Sequence, residues 1–129
     1  MTNPHPHAAE TVLICEDDSN LRTLVQLALG NGYRYVETAD GPSALDELER
    51  NRPDLIVLDL MLPGLSGLEL LDEIRKLDGG DTIPVIVISA WDSDEEAVTA
   101  GADRFVAKPF DPEQLRATAE ELLSNGKTD

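Results

Sequence analysis

Three short runs along this chain, TVLIC (11–15), DLIVL (54–58) and VIVI (85–88), are apolar with no alternation. A strand with one wet face alternates polar and apolar residues, so runs of this kind read as strands covered on both faces. A sheet covered on both faces lies between layers of helices and is mostly parallel. The stretches between the runs agree. Residues 19–31 place Leu21, Leu24, Val25, Leu27, Ala28 and Leu29 close to a helical period, with Asp18 or Ser19 able to cap the start and Gly32 suited to the end. Residues 42–51 form a second helix with Ala44, Leu45 and Leu48 as its inward stripe. A third opens at Ser66 or Gly67, after the Pro63-Gly64 break, and runs to Leu77. A polar, glycine-rich loop spans 78–82. A short fourth helix is expected at 93–100, stopped by Gly101. Asp111 caps a last helix with Pro112 in its first turn, running to about Ser124. Weaker strands at 34–38 and 104–107 complete five βα units.

These units occupy residues 11–124 as one domain, with tails expected at 1–10 and 125–129. No apolar run approaches the roughly 18 residues of a membrane span, so membrane insertion is not expected. Residues 1–10 lack the basic and apolar regions of a secretory signal. The one cysteine, Cys15, cannot form an internal disulfide and reads as a small buried hydrophobe, which fits a reducing cytoplasm. Twenty-six acidic residues against ten basic ones leave a net charge of −16. Direct nucleic-acid binding needs the opposite sign, because phosphate contacts dominate it. The acidity fits a soluble, self-repelling surface, a halophilic host or a basic partner. His5 and His7 lie in the N-terminal tail and read as solvated.

In an open parallel sheet, ligands bind beyond the carboxyl ends of the strands. Glu16, Asp17 and Asp18 follow the first strand, Asp59 ends the third, Ser89 follows the fourth, and Lys108 follows the fifth, before Pro109. Asp18 reads as a helix cap. Glu16, Asp17 and Asp59 would gather three negative charges, each close pair costing about 4 kcal/mol at an effective dielectric of about 20. Either their pKa values rise or cations fill the site. A divalent ion and the Lys108 ammonium together balance the three charges. Carboxylates without His or Cys suit a hard ion such as Mg²⁺. A carboxylate beside Mg²⁺ is a candidate nucleophile toward phosphorus, with Lys108 and the Ser89 hydroxyl placed to meet the transferring oxygens. There is no convincing base–nucleophile pair for acyl transfer and no Gly-rich phosphate loop, so ATP is not the obvious donor.

The stretches TVLICEDDSNLRTLV, PDLIVLDLMLPGLSGLELL, IPVIVISAW and GADRFVAKPF, in this order, resemble the receiver domain of bacterial two-component response regulators, the chemotaxis-regulator-like family, over about residues 11–124. The resemblance implies a flavodoxin-like (βα)5 three-layer sandwich with strand order 2-1-3-4-5. It implies Asp59 as phosphoacceptor, and Glu16 and Asp17 as the acidic pair, where many relatives have two aspartates. Counting back five from Arg22 selects Asp17 as the direct ligand. Met61 would offer its backbone carbonyl to Mg²⁺, for which Mn²⁺ could substitute. Ser89 matches the switch hydroxyl, Phe105 the switch aromatic, and Lys108 the lysine before a peptide bond to Pro109 that the family often holds cis. Trp91, two residues after Ser89, is expected near the site mouth, where with Met61 it would screen Asp59 from water and slow dephosphorylation.

The implied partners are a sensor histidine kinase or phosphotransfer protein as donor, and an output protein that reads the face of the fourth helix, fifth strand and fifth helix. The expected form is a cytoplasmic, stand-alone receiver, monomeric or dimerising on phosphorylation. It is a switch protein that assists its own phosphotransfer and dephosphorylation, not a turnover enzyme. Two other readings stay open: a phosphorylation-independent interaction module on the same fold, and a haloacid-dehalogenase-type hydrolase. The hydrolase needs a second aspartate where this chain has Met61.

Overall fold

The computed structural model describes residues 10–90 and 101–126. Five strands, β1 (Glu10–Cys15), β2 (Tyr33–Thr38), β3 (Leu55–Asp59), β4 (Val85–Ser89) and β5 (Arg104–Ala107), form one sheet in the order β2-β1-β3-β4-β5. Every pairing is parallel. The helices are α1 (Ser19–Leu29), α2 (Gly41–Arg50), α3 (Gly67–Lys76) and α4 (Pro112–Gly126). The fourth helix expected from the sequence at 93–100 lies outside the described residues, as does Trp91, so α4 here is the last helix of the chain.

The unalternating runs are covered on both faces. Leu13, Ile56, Leu58, Val85 and Val87 pack toward α2 and α3, among Ala44, Leu48, Leu70, Leu71 and Ile74. Their neighbours in the same strands, Val12, Ile14, Leu55, Val57, Ile86 and Ile88, pack on the other side against α1 and α4, among Val25, Ala28, Leu115 and Ala119. Side chains alternate across a strand, so only a continuous apolar run can feed both layers.

The helix starts are built by local chemistry. The Asp18 side chain accepts from the amides of Asn20 and Leu21, and that of Asp40 from the amide of Ser43. Ser66 and Glu69 form a reciprocal capping box. Element ends differ from the sequence expectation where a backbone bond decides them. The first helix stops at Leu29, not at residue 31, because Gly30 takes a φ of 93° and donates its amide to Gln26 O. A left-handed residue of this kind ends a helix at the first glycine available. The second helix starts at Gly41, one residue before Pro42, because Asp40 is the cap. The first strand opens at Glu10, the third includes Asp59 itself, and the last helix continues to Gly126. The polar loop after α3 contains a 3-10 turn at Gly80–Thr82.

Candidate functional site

The strand register brings four chain segments to one edge of the sheet. Cys15 pairs with Leu58, Asp59 with Ile88, and Ser89 with Ala107. The residues that follow, or end, β1, β3, β4 and β5 therefore stand side by side. Lys108 prolongs the last pairing by one residue, its amide donating to Ser89 O at 2.9 Å. Behind Asp59, the start of α3 presses close. A Cβ on Gly67 would lie 2.4 Å from Leu60 Cα and 2.8 Å from Asp59 O, so only glycine fits.

Asp59 is 3% exposed and Glu16 1% exposed, whereas Asp17 is open to solvent. One carboxylate oxygen from each of the three lies within 4.8 Å of the others. Lys108 Nζ donates to Asp59 Oδ2 at 2.8 Å and stands 3.1 Å from Glu16 Oε1. The Met61 amide donates to the second Asp59 oxygen, Oδ1, at 3.0 Å. The Asp18 amide donates to Glu16 Oε2 at 3.1 Å. Glu16 Oε1 is buried and receives no aligned hydrogen bond, although the ammonium is near enough for a Coulomb contact. A buried carboxylate oxygen without a donor is costly unless a cation faces it.

The electrostatics carry the mark of this crowding. Burial, and then the Asp59 carboxylate beside it, raise the Glu16 pKa to about 7. Burial pulls the Lys108 ammonium down, but its bonds and charge contacts with Asp59 and Glu16 outweigh burial and hold its pKa above the ordinary lysine value. With all three carboxylates ionised, one ammonium leaves an excess of two negative charges. A divalent, oxygen-preferring ion matches that charge and the donor set of Glu16, Asp17 and Asp59.

The structure thus unites Glu16, Asp17, Asp59 and Lys108, and places Ser89, fully buried, at the neighbouring strand end. At Met61 it is the amide that engages Asp59, while the side chain is 62% exposed. Phe105 is half-buried on the α2–α3 side of β5. The Lys108–Pro109 bond is cis. Cys15 is buried and its thiol is pushed up to about 12, chiefly by burial, which makes it inert.

Two arginines hold structural partners that were not legible from the sequence, Arg22 beside the site and Arg75 at the opposite edge of the sheet. Arg22 Nη1 donates to Glu16 O at 2.7 Å and its Nε to Glu37 at 2.8 Å. Arg75 donates to the carbonyls of Gly80, Ile83 and Gly101 and to Asp103. Their partners are backbone carbonyls, or lie 15 to 28 residues away, so no local spacing announces them. Beside the acidic cluster, a groove of about 540 Å³ runs between α1 and the start of α4, lined by Leu21, Leu24, Leu27, Ala28, Phe110 and Pro112. Among the described residues no helix is long and apolar enough to cross a membrane.

Comparison with known proteins agrees with this geometry. Residues 12–120 match the family described as the response regulator receiver domain. Response regulator MprA of Mycobacterium sp. (strain KMS) is 40% identical over 122 residues, covering 92% of this chain and 52% of the relative. The MprA of Mycobacterium leprae (strain TN) is also 40% identical, covering 92% and 53%. The chain thus spans about half the length of these curated relatives. The receiver domain of the Francisella response regulator 1452 superposes with a TM-score of 0.83 at 33% identity, covering 92% of this chain and 99% of that one. The receiver domain of the sensor histidine kinase PA1611 from Pseudomonas aeruginosa PAO1 gives 0.82 at 32% identity, covering 91% and 99%. That structure holds a magnesium ion coordinated in the active site cleft.

Proposed function

This chain belongs to the response regulator receiver domain family of two-component signalling, and from that premise we propose that it is a phosphoacceptor switch working through Asp59. One observation carries the reading: the Lys108 ammonium 2.8 Å from a buried Asp59, with Glu16 and Asp17 oxygens within 4.8 Å.

The donor is a phosphohistidine on a sensor histidine kinase or a phosphotransfer protein. An Asp59 carboxylate oxygen attacks phosphorus, and a P–O bond forms as the P–N bond breaks. The bond's electron pair goes to the imidazole nitrogen, which takes a proton from solvent. Glu16, Asp17 and Asp59, with the Met61 carbonyl, would hold Mg²⁺, or Mn²⁺ in its place. The ion supplies charge neutralisation at the phosphoryl oxygens. Lys108 then exchanges its contact with Asp59 for one with a phosphoryl oxygen. Ser89 donates to another, and Phe105 moves inward into the space that Ser89 leaves. The face that includes β5 and α4 thereby shifts between two states that an output partner or domain reads. The apolar groove beside the site, with Leu24 and Leu27 exposed along α1, supports docking of a donor helix there. The protein consumes one phosphoryl group per switching event and is not a turnover enzyme.

Incubation with acetyl phosphate and Mg²⁺, followed by intact mass, tests the reading. The expected result is a gain of one phosphoryl group that disappears with Asp59→Asn or a chelator. A mass gain that survives Asp59→Asn, or no gain at all, refutes it. Sustained phosphate release from many esters would favour a hydrolase instead.

A further inference from the structure

Resting on the receiver reading, we propose that Arg22 is a positioning residue for the cation-binding loop, and that Glu37 at the end of the edge strand holds Arg22 in that role. Neither residue touches the acceptor carboxylate. Both act on the backbone that carries Glu16 and Asp17.

The loop between β1 and α1 is pinned at both polar groups of one residue. The Glu16 amide donates to Thr38 O at 3.0 Å. The Glu16 carbonyl accepts from Arg22 Nη1 at 2.7 Å. Arg22, whose side chain is only 17% exposed, is fixed in turn by Glu37, which takes the Nε proton at 2.8 Å. The Thr38 hydroxyl donates to Ile14 O at 3.1 Å and closes the strand end from the other side. The chain path through Glu16 is therefore set by β2, a strand that contributes nothing else to the site. This matters most for Asp17. Among the described residues its side chain makes no hydrogen bond, so its carboxylate stands where the backbone puts it. A planar guanidinium suits the task, because its fixed fork serves a carbonyl and a carboxylate at once. The Arg22–Glu37 bond also holds the Glu37 carboxyl below its ordinary pKa.

Charge and position predict opposite signs for the loss of Arg22. Taken as a charge alone, a cation bonded to the backbone of one metal ligand repels Mg²⁺, so its removal tightens binding. Taken as a clamp, its removal lets the loop wander and loosens binding. Outer residues that orient metal ligands typically contribute a factor of 10 to 100 in affinity.

The test is Mg²⁺ binding by calorimetry with no phosphodonor present, on the full chain and on Arg22→Ala, Arg22→Lys and Glu37→Gln. Thermal melting in chelator verifies that each variant is folded. Arg22→Ala is expected to weaken Mg²⁺ about tenfold although it removes a positive charge. Arg22→Lys keeps the charge but cannot span both acceptors, and restores only part of the affinity. Glu37→Gln, which frees the guanidinium, weakens binding as well, and its effect is absent in the Arg22→Ala background. Wild-type protein that binds Mg²⁺ while Arg22→Ala binds it equally or more tightly overturns the proposal and leaves the receiver reading standing. Wild-type protein that binds no Mg²⁺ overturns both.

Discussion

Glu16 is stressed when only the Lys108 ammonium faces it, and replacing its charge should stabilise the metal-free protein. The folded-state pKa is raised from 4.5 to about 7, so the folded protein holds a proton that the unfolded chain has lost across that interval. The sign follows directly. Below about pH 4.5 Glu16 is protonated in both states and costs nothing. As pH rises toward about 7 the unfolded state gains by ionising, stability falls, and above 7 the loss is constant. The raised pKa means that the ionised carboxylate costs the folded protein at most about 3 kcal/mol. Glu16→Gln removes the charge and keeps the shape, but its buried amide remains only partly bonded, so about 1–2 kcal/mol of gain is expected at about pH 8. For a domain of this size that is a rise of about 4–8 °C in Tm. Thermal denaturation in chelator, from about pH 4 to about pH 8, reads it: no difference at the acid end and a widening advantage for the variant toward alkaline pH. Added Mg²⁺ should reverse the order, because wild type gains stability by binding and the variant gains less. A variant less stable than wild type in chelator at about pH 8, or a wild-type stability flat across the range, refutes the reasoning.

Lys108→Ala removes the ammonium that faces the Glu16 and Asp59 carboxylates, so Mg²⁺ should bind at least about tenfold more tightly while phosphorylation from acetyl phosphate slows; calorimetry and intact mass read the two effects. Gly67→Ala places a methyl 2.4 Å from Leu60 Cα, and the resulting backbone shift should cost about 2 kcal/mol in urea denaturation and slow phosphorylation of Asp59. Arg75→Ala leaves the carbonyls of Gly80, Ile83 and Gly101 without their donor, and an expected loss of about 2–3 kcal/mol by the same measurement would confirm its role in tying α3 to the entrances of β4 and β5.

Much of the site was legible because parallel α/β topology translates sequence into place. Once TVLIC, DLIVL and VIVIS, together with the weaker run at 104–107, are strands of one parallel sheet, whatever ends them must share an edge. Glu16, Asp59, Ser89 and Lys108 needed no further information to be grouped, and the charge deficit that favours a divalent cation followed from residue types. Met61 shows the limit. Its spacing from Asp59 was visible, but the amide bond to Oδ1 depends on how the chain turns after the strand. Helix ends were also readable only to within a residue or two, because Gly30 and Gly32 are equivalent as letters and differ only in which one meets the Gln26 carbonyl.

The sequence by itself determined the layered architecture, the unlike charges brought to one edge and the strongly acidic net charge of −16. These depend on periodicity and on the chemistry of single residues, which the order of letters states outright. Tertiary structure alone decided that Glu16 is buried and Asp17 exposed although they are neighbours. It also decided that Lys108 reaches both Asp59 and Glu16, and that Arg22 and Glu37 pin the loop that carries the acidic pair. Those facts depend on contacts between residues 6 to 92 positions apart, set by strand register and helix packing, which no local pattern encodes.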